Sequence, residues 1–486
     1  MNKIKNILKV LIIGLISIPT LVYAIPDAPP GEGGPGGGMS QGSVSYSGAT
    51  EITTDTEVTE KTYSSETGSQ NALLVSGGTS TLTSCSINKT GDSDGDNSDF
   101  YGTNAGILVY NGATLNIKGG TITTNGSHAN AVFAYGTGII NISDTTIKTT
   151  SNNSGAIMVT GGGTLTANNV TAETDGNSSA PIRSDRGGGN LTVNGGKYTS
   201  NGTGSPAIYS TANIVVNNAE LISTSSEGVV IEGANSITLN DTTLTATNTT
   251  LNGNSETYKG IFIYQSMSGD ADVGTATFTS KGSKITNNKG DVIFVTNTNT
   301  VITLEDNEIV NNDTEGVFLR ASTSKWGNSG SNGGTVTLNL NNQKVNGDIS
   351  IDSISTLSMT MKDGSVLVGS IDKENQAKSI TLSLSKDSVI SLTSDTYIDS
   401  LENEDTTNSN IYSNGYKLYV NNQEVSINSE KYTPSSVETD DVSENKTTKS
   451  NNIIYYIIGG VVGVLIVSVV VIILIIRHRR KKISLN

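Results

Sequence analysis

Arg183, Asp185 and Arg186 stand together in "APIRSDRGGGNL", residues 180–191, and run directly into Gly187, Gly188 and Gly189. A guanidinium two residues from a carboxylate can clamp a ligand, assist sugar-chain cleavage as base or charge stabiliser, or form a plain ion pair beside a glycine turn. If the chain is an enzyme, the candidates are Arg183 or Arg320 as base or charge stabiliser, with Asp185 or Glu232 as the acid partner. A second constellation is "GDSDGDNSDFYG", in which Asp92, Asp94, Asp96 and Asp99 offer enough oxygens for a hard cation such as calcium. It is not an EF-hand, because Asn97 replaces the turn glycine and Thr103 the closing glutamate; a solvated acidic loop is the plainer reading. Other chemistries are poorly supplied. The chain has 2 histidines, of which His478 lies in the basic run near the C-terminus, so His-rich zinc sites and a Ser-His-Asp triad have little to draw on. The single Cys85 cannot form an intramolecular disulfide and reads as a packed residue.

The elements that position these residues are legible as a repeat. Between Gly/Asn/Asp-rich turns the chain shows short runs of β-branched residues in alternation, the pattern of strands. The first apolar positions Ile107, Val132, Ile157, Ile182 and Ile208 are spaced 25, 25, 25 and 26 residues apart. Leu73 precedes them by 34, and Val229, Ile261, Ile293 and Val317 follow at steps of 21, 32, 32 and 24. Within a repeat, Ile107 and Val109 lead to Leu115 and Ile117 and then to Ile122, and Val132, Ala134, Ile140, Ile142 and Ile147 keep the same offsets. One such unit cannot bury its inner face alone, whereas stacked units form a continuous apolar column with strands about 4.8 Å apart. The expectation is an all-β, right-handed parallel β-helix with three short strands per coil, spanning 45–427 and less regular after about residue 327. Roughly fifteen coils would make a rod about 70 Å long.

The coils resemble the pectin-lyase-like β-helix superfamily. The stretches "SDRGGG", "GSPAIYSTA", "YQSMSGD" and "WGNSGSNGG" are similar to secreted, adhesin-like β-helix surface proteins of anaerobic Gram-positive bacteria. The resemblance covers most of residues 45–400 and implies a fold and a location. Its superfamily houses lyases, hydrolases and binding modules alike. Some β-helix lyases pair an arginine base with calcium-binding aspartates, and here Asp185 is the one aspartate near Arg183 on the outward rows.

The ends of the chain point to the cell surface. Residues 1–24, with Lys3, Lys5 and Lys9 before an apolar run and a small-residue site, read as a secretory signal peptide. Residues 25–44 form a Pro/Gly-rich leader, and 428–452 a polar, acidic stalk. The uncharged run 453–476 is long enough for a single transmembrane helix, and the basic tail 477–486 is expected on the cytoplasmic side. The formal net charge is −15, and the basic residues at the two ends leave the part between them more acidic still, which disfavours nucleic acid as a partner.

Strand parity assigns the outward side chains. One outward row reads Leu74, Leu108, Phe133, Met158, Arg183, Tyr209, Val230, Phe262, Phe294 and Phe318. A second, two residues on, reads Ser76, Tyr110, Tyr135, Thr160, Asp185, Thr211, Glu232, Tyr264, Thr296 and Arg320. The first row is almost wholly apolar where a solvated face would be polar, so it is either a contact surface or a second small core under the leader or an insertion. The contact-surface reading gives a membrane-anchored, non-catalytic surface protein binding polysaccharide or a host or cell-surface glycan through Tyr110, Phe133, Tyr135, Arg183, Asp185, Tyr209, Phe262 and Tyr264. Its rivals are a polysaccharide lyase or glycosidase, and a passive stalk.

Overall fold

The computed structural model describes residues 44–251 and 255–433; the expected signal peptide, membrane-spanning run and basic tail lie outside them. Among the described residues no helix is long and apolar enough to cross a membrane. The described chain is a parallel β-solenoid of right-handed type with about 15 turns. Successive strands join three sheets in rotation, of 12, 14 and 10 strands, here called the first, second and third sheets. The first contains Ile107–Val109, Val132–Tyr135, Ile157–Thr160, Ile182–Ser184 and Ile208–Ser210, in neighbouring positions.

The stacking follows the repeat. Ile107 pairs with Val132, Val132 with Ile157, Ile157 with Ile182 and Ile182 with Ile208, each wholly buried. In-register stacking keeps one apolar column continuous from Ile52 to Leu418. Side-chain amides add ladders where polar residues stack: Asn194 donates to Asn168 Oδ1, Asn217 to Asn194 and Asn240 to Asn217, all at 2.9 Å. Each bond contributes about 1 kcal/mol and fixes register, since a slipped coil would lose the whole series.

The corners explain the heavy use of Asn, Asp and Gly. At the turn from the second sheet to the third, Asp144, Asn169, Asn218, Asp241 and Asp306 all take φ between 47° and 55°. Short polar side chains and glycine tolerate this left-handed conformation; β-branched residues do not. Gly196 at this corner has φ +90°, and a Cβ there would lie 2.2 Å from the Val170 carbonyl oxygen.

One feature departs from expectation. The first-sheet register pairs Ile293 with Leu319 and Phe294 with Arg320, not with Val317 and Phe318. The N–H groups of Phe318 and Leu319 both reach the Asp348 carbonyl, at 2.9 and 3.4 Å, so the strand enters two residues later than the 24-residue step implied. Phe318 therefore faces the main core, and Arg320 belongs to the first outward row rather than the second. Beyond Trp326 the solenoid persists: the third side continues as a four-stranded sheet, and Leu418–Val420 with Gln423–Val425 form an antiparallel pair at the C-terminal end.

Candidate ligand-binding cleft

The aromatic outward row is present but covered, the second of the two readings its apolar character allows. Leu74, Leu108, Phe133 and Met158 form a second small core with Ala105, against which Tyr46, Tyr110 and Tyr135 pack. The cover is the acidic insertion, which folds as the short helix Asp96–Tyr101. Its Tyr101 meets Tyr135 edge-on at 5.5 Å, its Phe100 carbonyl accepts from Thr160 Oγ1 at 2.7 Å, and Gly102 lies over Leu108 and Phe133. Further along the rod, Val230, Phe262, Tyr264 and Phe294 make a third core with Tyr209 and Trp326 against it. Phe262 stacks on Tyr264 and Phe294, and Trp326 lies 4.8 Å from Tyr264. The physical reason is area: a contiguous row of large apolar side chains in water is costlier than one covered by an insertion.

Between the two covered patches the row is interrupted at one coil, by Arg183, and there the cover opens. A cleft of about 280 Å³ is lined by Asp99, Phe100, Ser178, Ala180, Arg183, Asp185, Gly204, Pro206, Tyr209 and Asp270. Strand Ile182–Ser184 presents Arg183. The acidic insertion supplies Asp99 and Phe100; Asp270 comes from the longer coil that follows Tyr264.

The charges are arranged in pairs. Arg183 Nη2 donates to Asp185 Oδ2 at 3.1 Å, and its Nη1 to the Ser178 carbonyl at 3.4 Å. Arg186 holds Asp270 Oδ1 through Nε at 2.9 Å and Nη2 at 2.6 Å, while its guanidinium lies 4.0 Å over the Phe100 ring. The Arg186 N–H donates to Asp185 Oδ1 at 2.9 Å. Arg186 thus ties the two insertions together across the cleft coil, a use of the second arginine that its place in the turn did not show. The following glycines allow the turn: Gly187 and Gly188 have φ of +81° and +56°.

Burial pushes the Asp185 carboxyl up to about 7, with Asp270 and Asp99 adding to the rise and Arg183 opposing it. Two layers away, burial also raises Glu232, although it accepts from the hydroxyls of Tyr209, Ser266 and Tyr264, the last at 2.9 Å. Glu232 is 1% exposed and accepts from the hydroxyl of Tyr209, a residue that lines the cleft. Arg320 is elsewhere, paired with Asp291 at 2.6 Å and bonded to Ser350. Of the enzyme candidates, then, Arg183 and Asp185 meet, Glu232 stands behind them, and Arg320 is apart. Of the ligand-binding candidates, Arg183, Asp185 and Tyr209 line the cleft, whereas Phe133, Phe262 and Tyr264 are buried.

Of the four aspartates offered as calcium ligands, Asp92 and Asp99 have hydrogen-bond partners within the fold. Asp92 Oδ1 accepts from the Ser127 N–H at 2.8 Å, and Asp99 Oδ2 meets His128 Nδ1 at 2.8 Å. Among the described residues no group of three or more His, Cys, Asp or Glu side chains is placed to hold a metal ion. Cys85 is buried in the main core.

One buried ion pair escaped the sequence reading. Lys259, wholly buried, meets Glu227 at 3.1 Å, donates to Ser255 Oγ at 2.8 Å and lies 4.3 Å over the Phe262 ring. Burial works against the Glu227 carboxylate, yet Lys259 and Ser226 hold its pKa below the usual range. The signal for both the cleft and this pair was coil length: the steps of 34, 32 and 32 mark the coils whose extra residues build over the first sheet.

No protein-family model matches the chain, and no curated protein or solved structure matches it. The fold defines the class, a parallel β-solenoid, and the cleft must speak for function.

Proposed function

We propose that the protein is a cell-surface β-solenoid, anchored through residues 453–476, that binds carbohydrate in the Arg183–Asp185 cleft without turnover. One observation supports this reading: between two covered apolar patches of the outward row lies a cleft with fixed guanidinium and carboxylate groups beside Tyr209 and Pro206. Sugars present hydroxyls that both donate and accept, next to flat C–H faces, and such a mixed lining answers both. The charged groups are held by partners before a ligand arrives, so little ordering is needed on binding. Glycan-array binding by the full chain, with Arg183→Ala and Tyr209→Ala variants that keep the wild-type fold, tests it. Loss of a specific signal in both variants is expected. No saccharide bound by the wild type, or equal binding by both variants, refutes it.

A second reading, a glycosidase or lyase of the superfamily the coils resemble, is favoured by Asp185, whose carboxyl burial pushes up to about 7 in a cleft with two further aspartates. It predicts release of soluble oligosaccharides, abolished in Asp185→Asn. Absence of products from neutral and acidic polysaccharides alike removes it.

A further inference from the structure

The cleft is walled along the rod. On its N-terminal side the acidic insertion covers the coils of Phe133 and Met158, held down by the bond from Thr160 Oγ1 to the Phe100 carbonyl. On its other side Val230 and Phe262 are covered in turn, with Tyr209 packed against them. The coils of Arg183 and Tyr209 lie between the two, an axial length of about 10 Å at the spacing of stacked strands.

The corner from the first sheet to the second is closed as well. The segment after Tyr264 bends back along it: Ser266 bonds Glu232, and two coils further back Asp270 bonds Arg186. Phe100, from the opposite insertion, lies 4.0 Å from the Arg186 guanidinium. Phe100, Arg186 and Asp270 thus make a continuous rear wall, whose Phe100 and Asp270 line the cleft. The corner from the third sheet to the first is low by comparison. It spans 175–181 and 201–207 at the cleft coils, against 90–106 in the coil of the acidic insertion. Its part of the lining is Ser178, Ala180, Gly204 and Pro206, all with short side chains. A ligand therefore enters across the rod from that corner and stops at the rear wall.

A groove open at both ends accepts the middle of a polymer, whereas a blind one accepts a terminus. An internal sugar unit continues at both of its linkages, and here the second linkage would run into Arg186. A terminal unit carries a hydroxyl at that place instead. The rear wall offers it an acceptor: Asp270 bonds Arg186 through Oδ1, its Oδ2 takes no bond from the described residues, and its side chain is 19% exposed. A hydroxyl donating to a carboxylate makes a charge-assisted bond and needs no charge on the sugar. The cleft volume of about 280 Å³ lies below the roughly 300–1,000 Å³ of sites that enclose a drug-sized ligand, so about two sugar rings fill it.

We infer that the cleft takes the end of a sugar chain, entering from the corner between the third and first sheets, with the terminal hydroxyl against Asp270. This rests on the carbohydrate reading above and adds which part of the polymer is bound. Arg186 is a positioning residue, which closes the wall by joining the two insertions.

The test is calorimetric titration of the full chain with gluco-, xylo-, manno-, galacto- and galacturono-oligosaccharides from dimer to hexamer, with pull-down on the parent polymers before and after partial hydrolysis. In a series that binds, affinity should change by less than about threefold from dimer to hexamer, because further units lie outside the walls. Protein captured by polymer should follow the number of chain ends. A larger rise with length, or capture in proportion to polymer mass, overturns the inference and leaves the carbohydrate reading intact. Absence of binding to every series removes both. Dimers deoxygenated at the non-reducing-end hydroxyl, and dimers capped as methyl glycosides at the reducing end, identify the terminus: one of the two should bind at least about tenfold more weakly, and equal binding by both overturns the Asp270 contact. In folded Arg186→Ala the rear wall opens and the hexamer should outbind the dimer by more than the same margin. A folded variant that keeps the wild-type plateau overturns the placing of the wall at Arg186, and the wild-type series decides the main point even if the variant fails to fold.

Discussion

Replacing Phe133 by alanine separates the two readings of the outward row. Phe133 lies under Gly102 and between Leu108 and Met158, and it is wholly buried. If the row were a solvent-facing contact surface, the change would alter stability by less than about 0.5 kcal/mol. As part of a covered core, the loss of a ring from a close-packed site should cost about 3–5 kcal/mol. The main column beneath is independent of this packing, because Val132 and Ala134 point the other way, so the loss should be local. The stacked coils need not melt as one unit. The assay is therefore equilibrium urea unfolding together with amide exchange, read separately in residues 96–102 and in the second sheet. The expected result is faster exchange in the helix Asp96–Tyr101 and its anchors at Thr160 and His128, with the distant second-sheet strands unchanged. Wild-type exchange in that helix, with a stability change under about 0.5 kcal/mol, would refute the claim that the insertion covers the row.

Lys259→Met should destabilise by about 3–5 kcal/mol by stranding Glu227, and adding Glu227→Gln should recover much of that; thermal melting of the single and double variants checks it. Asp185 has a folded pKa of about 7 against roughly 4 when unfolded, so the native state holds the extra proton between those values. Its contribution to stability accordingly falls as pH rises from about 4 to 7, against the opposing pull of Arg183 and with Asp99 and Asp270 reinforcing it. Asp185→Asn should flatten that part of the melting-temperature profile, and an unchanged slope would contradict the assignment. Gly196→Ala forces a Cβ against the Val170 carbonyl at positive φ and should cost more than about 1 kcal/mol, while Gly112→Ala, with open space around its Cβ position, should cost less. Differential scanning calorimetry of the two variants gives the comparison.

The solenoid was readable because its cause is periodic. A step of 25 residues over four coils, with the same apolar offsets inside each, points to stacked three-strand coils, and the pairing of Ile107, Val132, Ile157 and Ile182 follows it residue for residue. Reading failed where the period did. Val317 continued the spacing by count, but a local convergence of two N–H groups on Asp348 moved the register to Leu319. Alternation of the four aspartates in the insertion says nothing of their partners, and Asp92 and Asp99 bond Ser127 and His128, 35 and 29 residues away.

The amino-acid sequence by itself determined the coil, the inward and outward parity of the regularly spaced strands and the adjacency of Arg183 to Asp185, since all three depend on near neighbours or on a constant step. Only the tertiary structure decided that the outward aromatic row is interior and that Asp99 and Asp270 line one cleft with Arg183 and Asp185. Those outcomes depend on how insertions of irregular length fold back across several coils, and the contacts that fix them join residues up to 84 positions apart, with no period to announce them.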